Sequence, residues 1–127
     1  MTKMDIFVFG SNEAGRHGAG AARVAYLQYG AVYGWGYGHY GNSFAIPTLS
    51  KNLKPIPLER IRWYVHGLLA YAEGRPEWNF QVTRIGCGLA GRKDRDMASM
   101  FHEATDNLFF DEAWAPWLPT KPKWGVF

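Results

Sequence analysis

The sequence has only one cysteine, Cys87, among its 127 residues. One cysteine cannot form an internal disulfide, and sparse use of cysteine is typical of proteins kept in a reducing compartment. No run of about 18 apolar residues occurs. The apolar run within residues 1–10 is also too short for the hydrophobic region of a signal peptide. We therefore expect a cytoplasmic protein with no membrane-spanning segment.

The chain also has only a small excess of positive over negative charge. The chain has 14 Lys and Arg against 11 Asp and Glu, which gives a net charge of +3. No run of five or six basic residues occurs, which excludes a basic tail of the kind that binds nucleic acid. The length predicts one domain over residues 1–127, with enough residues to bury a core. Residues 110–127, rich in Pro and Trp, are predicted to form a tail, which packs on its own core or on another subunit.

Glycine, by contrast, is abundant, with 15 residues. Short apolar runs that end in Gly or Pro predict strands at residues 5–10, 42–48, 80–86 and 107–110. Apolar residues at helical spacing predict helices within residues 21–30, 55–74 and 92–107. Between them, glycines alternate with aromatic residues over residues 33–40, which we call the aromatic ribbon and expect to be irregular. The succession of strands and helices predicts an α/β fold with short loops at one end of a sheet.

Two loops of this pattern share one design, since each follows a strand, is rich in glycine and leads into a helix. We call residues 13–19 loop A and residues 86–91 loop B. Glycines allow backbone N–H groups to face an anion, and the helix that follows offers its positive end. Loops at the carboxyl ends of strands are where α/β sheets bind ligands. The predicted binding residues are Gly10, Ser11, Asn12, Gly15, Gly18, Ala19 and Gly20 near loop A, and Gly86, Cys87, Gly88, Leu89, Ala90 and Gly91 in loop B.

Two known phosphate-binding motifs fit these loops poorly. Gly10 and Gly15 have the spacing of a P-loop, but Arg16 and His17 stand where Lys and a hydroxyl residue are required. Loop B matches G-x-G-x-x-G and has Asp111 about 20 residues further on. A dinucleotide-binding fold needs several more strand and helix units, however, and only 16 residues follow Asp111 in the 127-residue chain. We expect neither an NTPase nor a Rossmann domain.

Four segments in order, "VFGSN", "GRHGAGAA", "SFAIPT" and "IGCGLAG", resemble a group of small phage and bacterial proteins that are similar to compact macro domains. The macro domain is an ADP-ribose-binding module. The resemblance covers about residues 6–108 and implies a single three-layer α/β domain, with a mixed sheet between helices on both faces. It implies that Asn12 contacts the distal ribose, that Gly18, Ala19 and Gly20 contact the diphosphate, and that residues 86–91 contact the phosphates from the other side.

The resemblance also implies a function, which is to bind ADP-ribose or a related NAD-derived nucleotide. If the protein is an enzyme, it implies an ADP-ribosyl hydrolase or an ADP-ribose phosphate phosphatase that needs no cofactor. The predicted catalytic residues are then Asn12, which orients a water, and His17, which exchanges a proton near neutral pH. The sequence departs from macro domains in one respect, because the acidic residue that they present to adenine has no good equivalent here. The aromatic ribbon offers stacking surfaces in its place.

Other interpretations of the same residues stay open. His17 is also a candidate for a surface imidazole or a phosphate donor, and Cys87 for a nucleophile or a small packing residue. The four histidines have no ligand spacing with one another or with Cys87, so we expect no metal site. The alternative function is a non-enzymatic module that sequesters nucleotides or binds RNA or DNA through basic and aromatic residues.

Overall fold

The structure is a computed structural model, and it describes residues 4–127. The elements are strands β1 (Asp5–Asn12), β2 (Gly38–Tyr40), β3 (Ser43–Leu49), β4 (Asn79–Val82), β5 (Leu108–Asp111) and β6 (Lys123–Gly125), with helices α1 (Gly20–Gln28), α2 (Leu58–Glu73) and α3 (Asp94–Ala98). The strands form one six-stranded sheet in the order β2-β3-β1-β4-β5-β6. Only β2 runs antiparallel to its neighbour, so the sheet is mixed.

Strand β1 is buried on both sides, which explains its unbroken apolar run. Ile6 and Val8 belong to the larger core, which α2 and α3 cover. Phe7 and Phe9 face the other way into a smaller core with Ala25 of α1. The predicted three-layer α/β fold, with a mixed sheet and helices on both faces, is therefore confirmed.

Helix α2 follows its predicted pattern closely. Its buried residues are Ile61, Val65, Leu68 and Ala72, all on one stripe, and Gly74 caps its carboxyl end. No helix within residues 4–127 combines the length and the apolar character that crossing a bilayer requires.

The predicted third helix over residues 92–107 is wrong in length. Helix α3 has five residues and passes into a 3-10 turn at Ser99–Phe101. The chain must then leave the helical path because Asn107 anchors it to the end of α2, where its Nδ2 donates to the carbonyls of Ala72 and Arg75 at 2.9 and 3.0 Å. The apolar spacing of residues 97–108 therefore reflects several short segments that pack on one core.

The predicted tail at residues 110–127 is also corrected. It contains the end of β5, a 3-10 turn at Glu112–Trp114 and the edge strand β6. Trp114 is fully buried against Phe101 and Phe110, and Trp124 donates its Nε1 proton to the carbonyl of Val82 at 2.9 Å. This segment packs on its own core.

Smaller differences concern where the elements end. Strand β4 stops at Val82, four residues before the predicted end. Thr83 still donates its N–H and its hydroxyl to the carbonyl of Val8, and the chain then turns into loop B. The aromatic ribbon is irregular as predicted up to residue 37, but its last three residues form β2, which pairs with β3. The end of β4 lies at the edge of the sheet that carries the loops, whereas β2 is the outermost strand and pairs with the amino-terminal part of β3.

Candidate functional site

Loops A and B meet at the carboxyl ends of β1 and β4, which are neighbouring parallel strands. A cleft of about 610 Å³ lies between them, a volume within the usual range of small-molecule sites. Gly10 shows how close the two sides come, since a Cβ placed there would lie 3.3 Å from the backbone nitrogen of Gly86. The absence of a side chain at Gly10 therefore lets loop B pack directly on the end of β1.

Most of the predicted binding residues line this cleft. They are Gly10, Ser11, Asn12, Gly18, Ala19 and Gly20 on one side, and Gly86, Cys87, Gly88, Leu89 and Ala90 on the other. Gly15, His17 and Gly91 do not line it. Twelve further residues line the cleft that were not among the predicted binding residues: Arg16, Ala21, Ala22, Tyr33, Thr48, Leu49, Leu53, Thr83, Arg84, Ile85, Asp111 and Phe127. Of these, only Arg16, Ala21 and Ile85 lie directly beside a predicted residue.

The amino end of α1 opens into the cleft without a side-chain cap. Its N-cap residue is Ala19, in an extended conformation, and its first turn has no acidic residue. The first N–H groups of a helix have no partner within the helix, and they carry its positive end. Residues 18–22 line the cleft, so this positive end is available to an anionic ligand.

Loop B also has backbone N–H groups that make no hydrogen bond within the described residues. Its turn is held by hydrogen bonds from the N–H of Cys87 to the carbonyl of Arg84 and from the N–H of Gly91 to the carbonyl of Gly88. Within residues 4–127, no hydrogen bond uses the N–H groups of Gly88, Leu89 or Ala90. All three residues line the cleft, so their N–H groups are a second set of candidate donors to a ligand there.

Asn12 holds the shape of loop A. Its Oδ1 accepts from the N–H of Arg16 at 2.9 Å, and its Nδ2 donates to the carbonyl of Arg16 at 2.8 Å. Both polar atoms of the side chain are thus engaged with the backbone. Asn12 lines the cleft, but its main contacts are structural, and only one N–H and one lone pair remain for a ligand.

We expect Asn12→Ala to lower the free energy of unfolding by about 1 kcal/mol, because two hydrogen bonds to Arg16 are lost while water reaches that exposed residue. Denaturation in urea measures the loss. Asn52→Ala is the matched control, since Asn52 lies in an exposed turn and its side chain makes no hydrogen bond within the described residues. An equal change in both variants would contradict the structural role of Asn12.

His17 lies beneath the cleft and has 1% of its surface exposed. Its ring packs edge-on against Phe9 and Tyr33, and its Nε2 lies 3.1 Å from the carbonyl of Val32. A carbonyl only accepts, so Nε2 is the donor and Nδ1 is unprotonated; Nδ1 has no partner within residues 4–127. The ring therefore joins loop A to the aromatic ribbon, and it is not among the residues that line the cleft.

Burial lowers the pKa of His17 below its ordinary value of 6.5. In the unfolded chain the ring takes up a proton near that value, whereas in the folded protein it resists protonation. His17 therefore favours the folded state above pH 6.5, and we expect this contribution to decline as the pH falls below it. Unfolding free energies measured from pH 7.5 to 5 should drop more steeply for the wild type than for His17→Phe. Parallel curves would contradict this prediction.

Cys87 has the environment of an inert thiol. Burial raises its pKa to about 12, and Asp94 adds to this effect. The thiol therefore stays protonated at neutral pH and lacks the nucleophilic thiolate form. This favours the packing role of Cys87 over the nucleophile role.

An ion pair between Arg84 and Asp94 connects the segment before loop B to the segment after it. Arg84 donates from Nε and Nη2 to the two carboxylate oxygens of Asp94 at 2.8 and 2.7 Å, and Trp114 donates to Oδ1 at 2.8 Å. The hydrogen bonds from Arg84 lower the pKa of Asp94 to about 2. Because Asp94 is the first residue of α3, this pair ties the strand side of loop B to the helix that follows it.

Asp111 and Phe127 form the far wall of the cleft. Asp111 is buried at the end of β5, and its carboxylate accepts from the N–H groups of Ala113 and Phe127 at 2.9 and 3.1 Å. The ring of Phe127 packs on Phe7 at 5.6 Å between centroids. The segment that follows β6 therefore contributes an aromatic side chain to the site.

Comparison with known proteins gives a relative in fold alone. No protein-family model and no curated protein matches the chain. A solved structure of a protein of unknown function from Bacteroides thetaiotaomicron is similar, with a TM-score of 0.62 and 17% sequence identity over 81% of each chain. At this identity the likeness extends to the fold and carries no function.

Proposed function

We propose that the cleft binds ADP-ribose or a related NAD-derived nucleotide, with its diphosphate between loops A and B. The observation that carries the proposal is the convergence of two sets of free backbone donors on one cleft, from the uncapped end of α1 and from loop B. Two negatively charged phosphates match such donors on both sides. The proposal places the protein in the cytoplasm, in keeping with its single cysteine.

The wall residues suit the rest of such a ligand. Tyr33 and Phe127 offer aromatic surface at the cleft, and Leu53 and Leu89 add exposed apolar side chains. A nucleotide places a flat base beside its charged phosphates, and bases stack on aromatic rings. Adenine would therefore find contacts without the acidic residue that macro domains use.

Isothermal titration calorimetry with ADP-ribose tests the proposal. ADP-ribose should bind, ADP should bind more weakly, and AMP more weakly still, because AMP lacks the second phosphate. Ribose 5-phosphate serves as the control for the sugar phosphate alone. Absence of heat with ADP-ribose, or equal affinities for ADP and AMP, would overturn the placement of a diphosphate between the loops.

Hydrolysis of an ADP-ribosyl linkage is the second step of the proposal. Asn12 has one free donor to orient a water, whereas His17 is buried away from the cleft. Release of ADP-ribose from an ADP-ribosyl ester should therefore be slower with Asn12→Ala and nearly unchanged with His17→Phe. Equal rates for the wild type and Asn12→Ala would remove Asn12 from the mechanism. Binding without turnover would favour the alternative, a module that sequesters the nucleotide.

A further inference from the structure

We propose that the surface beside the cleft binds a single strand of nucleic acid, whose terminal phosphate enters the cleft between loops A and B. This inference rests on the proposed function, because it assigns a polymeric ligand to the same phosphate site. We call the surface the aromatic face and define it by the side chains of Tyr26 and Tyr33.

The aromatic face is exposed and continuous with the cleft. Tyr26 and Tyr33 are 46% and 52% exposed. Tyr33 lines the cleft, and its ring meets that of Tyr26 edge to face, with 5.4 Å between centroids. Large aromatic rings left in water next to a phosphate site match the way in which single strands are held, with bases stacked on rings and the backbone on cations.

The charge of the surrounding chain points to an anionic polymer. No Asp or Glu occurs in residues 14–58, a segment that includes loop A from Ala14 onward, α1, the aromatic ribbon and the turn at Leu53. Glu13, the first residue of loop A, is paired with Arg60 of α2. The same segment carries four exposed cations, Arg16, Arg23, Lys51 and Lys54. Arg23 lies three residues before Tyr26 on α1, so the two side chains are neighbours on its surface. Arg16 lines the cleft itself.

The opposite side of the molecule provides a contrast. Trp63 on α2 is 80% exposed, more than any ring of the aromatic face. Glu59 and Arg60 accompany it on the same helix, so its surroundings carry both signs of charge. Exposed aromatic surface beside charge of one sign is therefore a property of residues 14–58, whereas the carboxylate of Asp111 lies on the far wall of the cleft. This combination favours a nucleic acid over a protein partner.

Fluorescence anisotropy with labelled ten-nucleotide oligothymidylates tests the proposal. One pair carries the label at the 3′ end and is compared with and without a 5′-phosphate. A second pair carries the label at the 5′ end and is compared with and without a 3′-phosphate. One phosphorylated form should bind more tightly than its unphosphorylated counterpart, and ADP-ribose should displace it. Tyr26→Ala should weaken binding about tenfold, whereas Trp63→Ala should have no effect. Calorimetry should give Tyr26→Ala the same affinity for ADP-ribose as the wild type, since Tyr26 does not line the cleft.

Salt dependence tests the role of the cations. For a single strand, each phosphate contact contributes about −0.7 to the slope of log K against log salt concentration. Arg23→Gln should therefore make the slope about 0.7 less negative, while Arg62→Gln, its control on α2, should leave it unchanged.

Three results would overturn the proposal: no binding of any oligonucleotide at low salt, equal losses in Tyr26→Ala and Trp63→Ala, or no effect of the terminal phosphate. Binding of a protein partner to this surface, blocked by Tyr26→Ala while oligonucleotides fail to bind, would also overturn it. A failure of the proposed function looks different. Oligonucleotides would then bind through Tyr26, and ADP-ribose would neither bind nor compete.

Discussion

Replacement of Gly18 by Asp should lower the affinity for ADP-ribose about a hundredfold, and Gly88→Asp should do the same from the other loop. Both positions line the cleft. Each variant places a carboxylate beside the proposed diphosphate, and two like charges about 5 Å apart repel by roughly 3 kcal/mol at an effective dielectric constant near 20. Calorimetry measures the loss of affinity.

These two sites allow a clean control. Neither glycine has a positive φ, and an added Cβ would meet only the Tyr33 hydroxyl at 3.9 Å from Gly18 and nothing within 4 Å from Gly88. Gly18→Ala and Gly88→Ala should therefore fold normally and bind ADP-ribose nearly as the wild type does. If only one of the two Asp variants lost affinity, the ligand would be held by one loop, and the convergence of both would be wrong.

Gly36→Ala should be the most destabilising single change in the aromatic ribbon. A Cβ at this position would lie 2.1 Å from the carbonyl oxygen of Asn12, so the ribbon must move away from the end of β1. We expect the free energy of unfolding to fall by about 3 kcal/mol or more, at the upper end of the cost of overpacking. Denaturation in guanidinium chloride measures the change.

Gly88→Ala is the matched control for this prediction, because an added Cβ there meets open space. The guanidinium chloride concentration at which half of the Gly88→Ala protein is unfolded should equal that of the wild type within experimental error. Gly36→Ala should also weaken ADP-ribose binding, since displacement of the ribbon disturbs Asn12 and loop A. A Gly36→Ala protein as stable as Gly88→Ala would show that the ribbon does not pack tightly on loop A.

The sequence predicts best where one physical signal dominates. The buried stripe of α2 and the unbroken apolar run of β1 have strong periodicity or composition, and both elements appear close to their predicted places. The prediction of a helix over residues 92–107 is wrong because Asn107 ties the chain to α2. Its side chain donates hydrogen bonds to Ala72 and Arg75, which precede it by 35 and 32 positions in the sequence. The spacing of apolar residues within a short segment cannot indicate a contact between such distant positions. Strand β6 was missed since three residues with Pro nearby give no period.

The same limit applies to the site. Glycine composition and position after a strand pointed to Gly18 and Gly88, because the physical reason for glycine there is local. The position of His17 depends instead on packing between Phe9 and Tyr33, which no neighbouring residue signals. Asp111 and Phe127 come from distant parts of the chain and meet loop B only through the pairing of β4, β5 and β6. To predict such wall residues, one must know the order of the strands in the sheet, which could not be predicted from the sequence alone.

Backbone amide shifts in an NMR titration with ADP-ribose test the central claim most directly. The amides of residues 18–22 and of residues 86–90 should move together, with one dissociation constant, while those of the outer face of α2 stay in place. Shifts confined to one loop, or different constants for the two loops, would contradict a single diphosphate held by both.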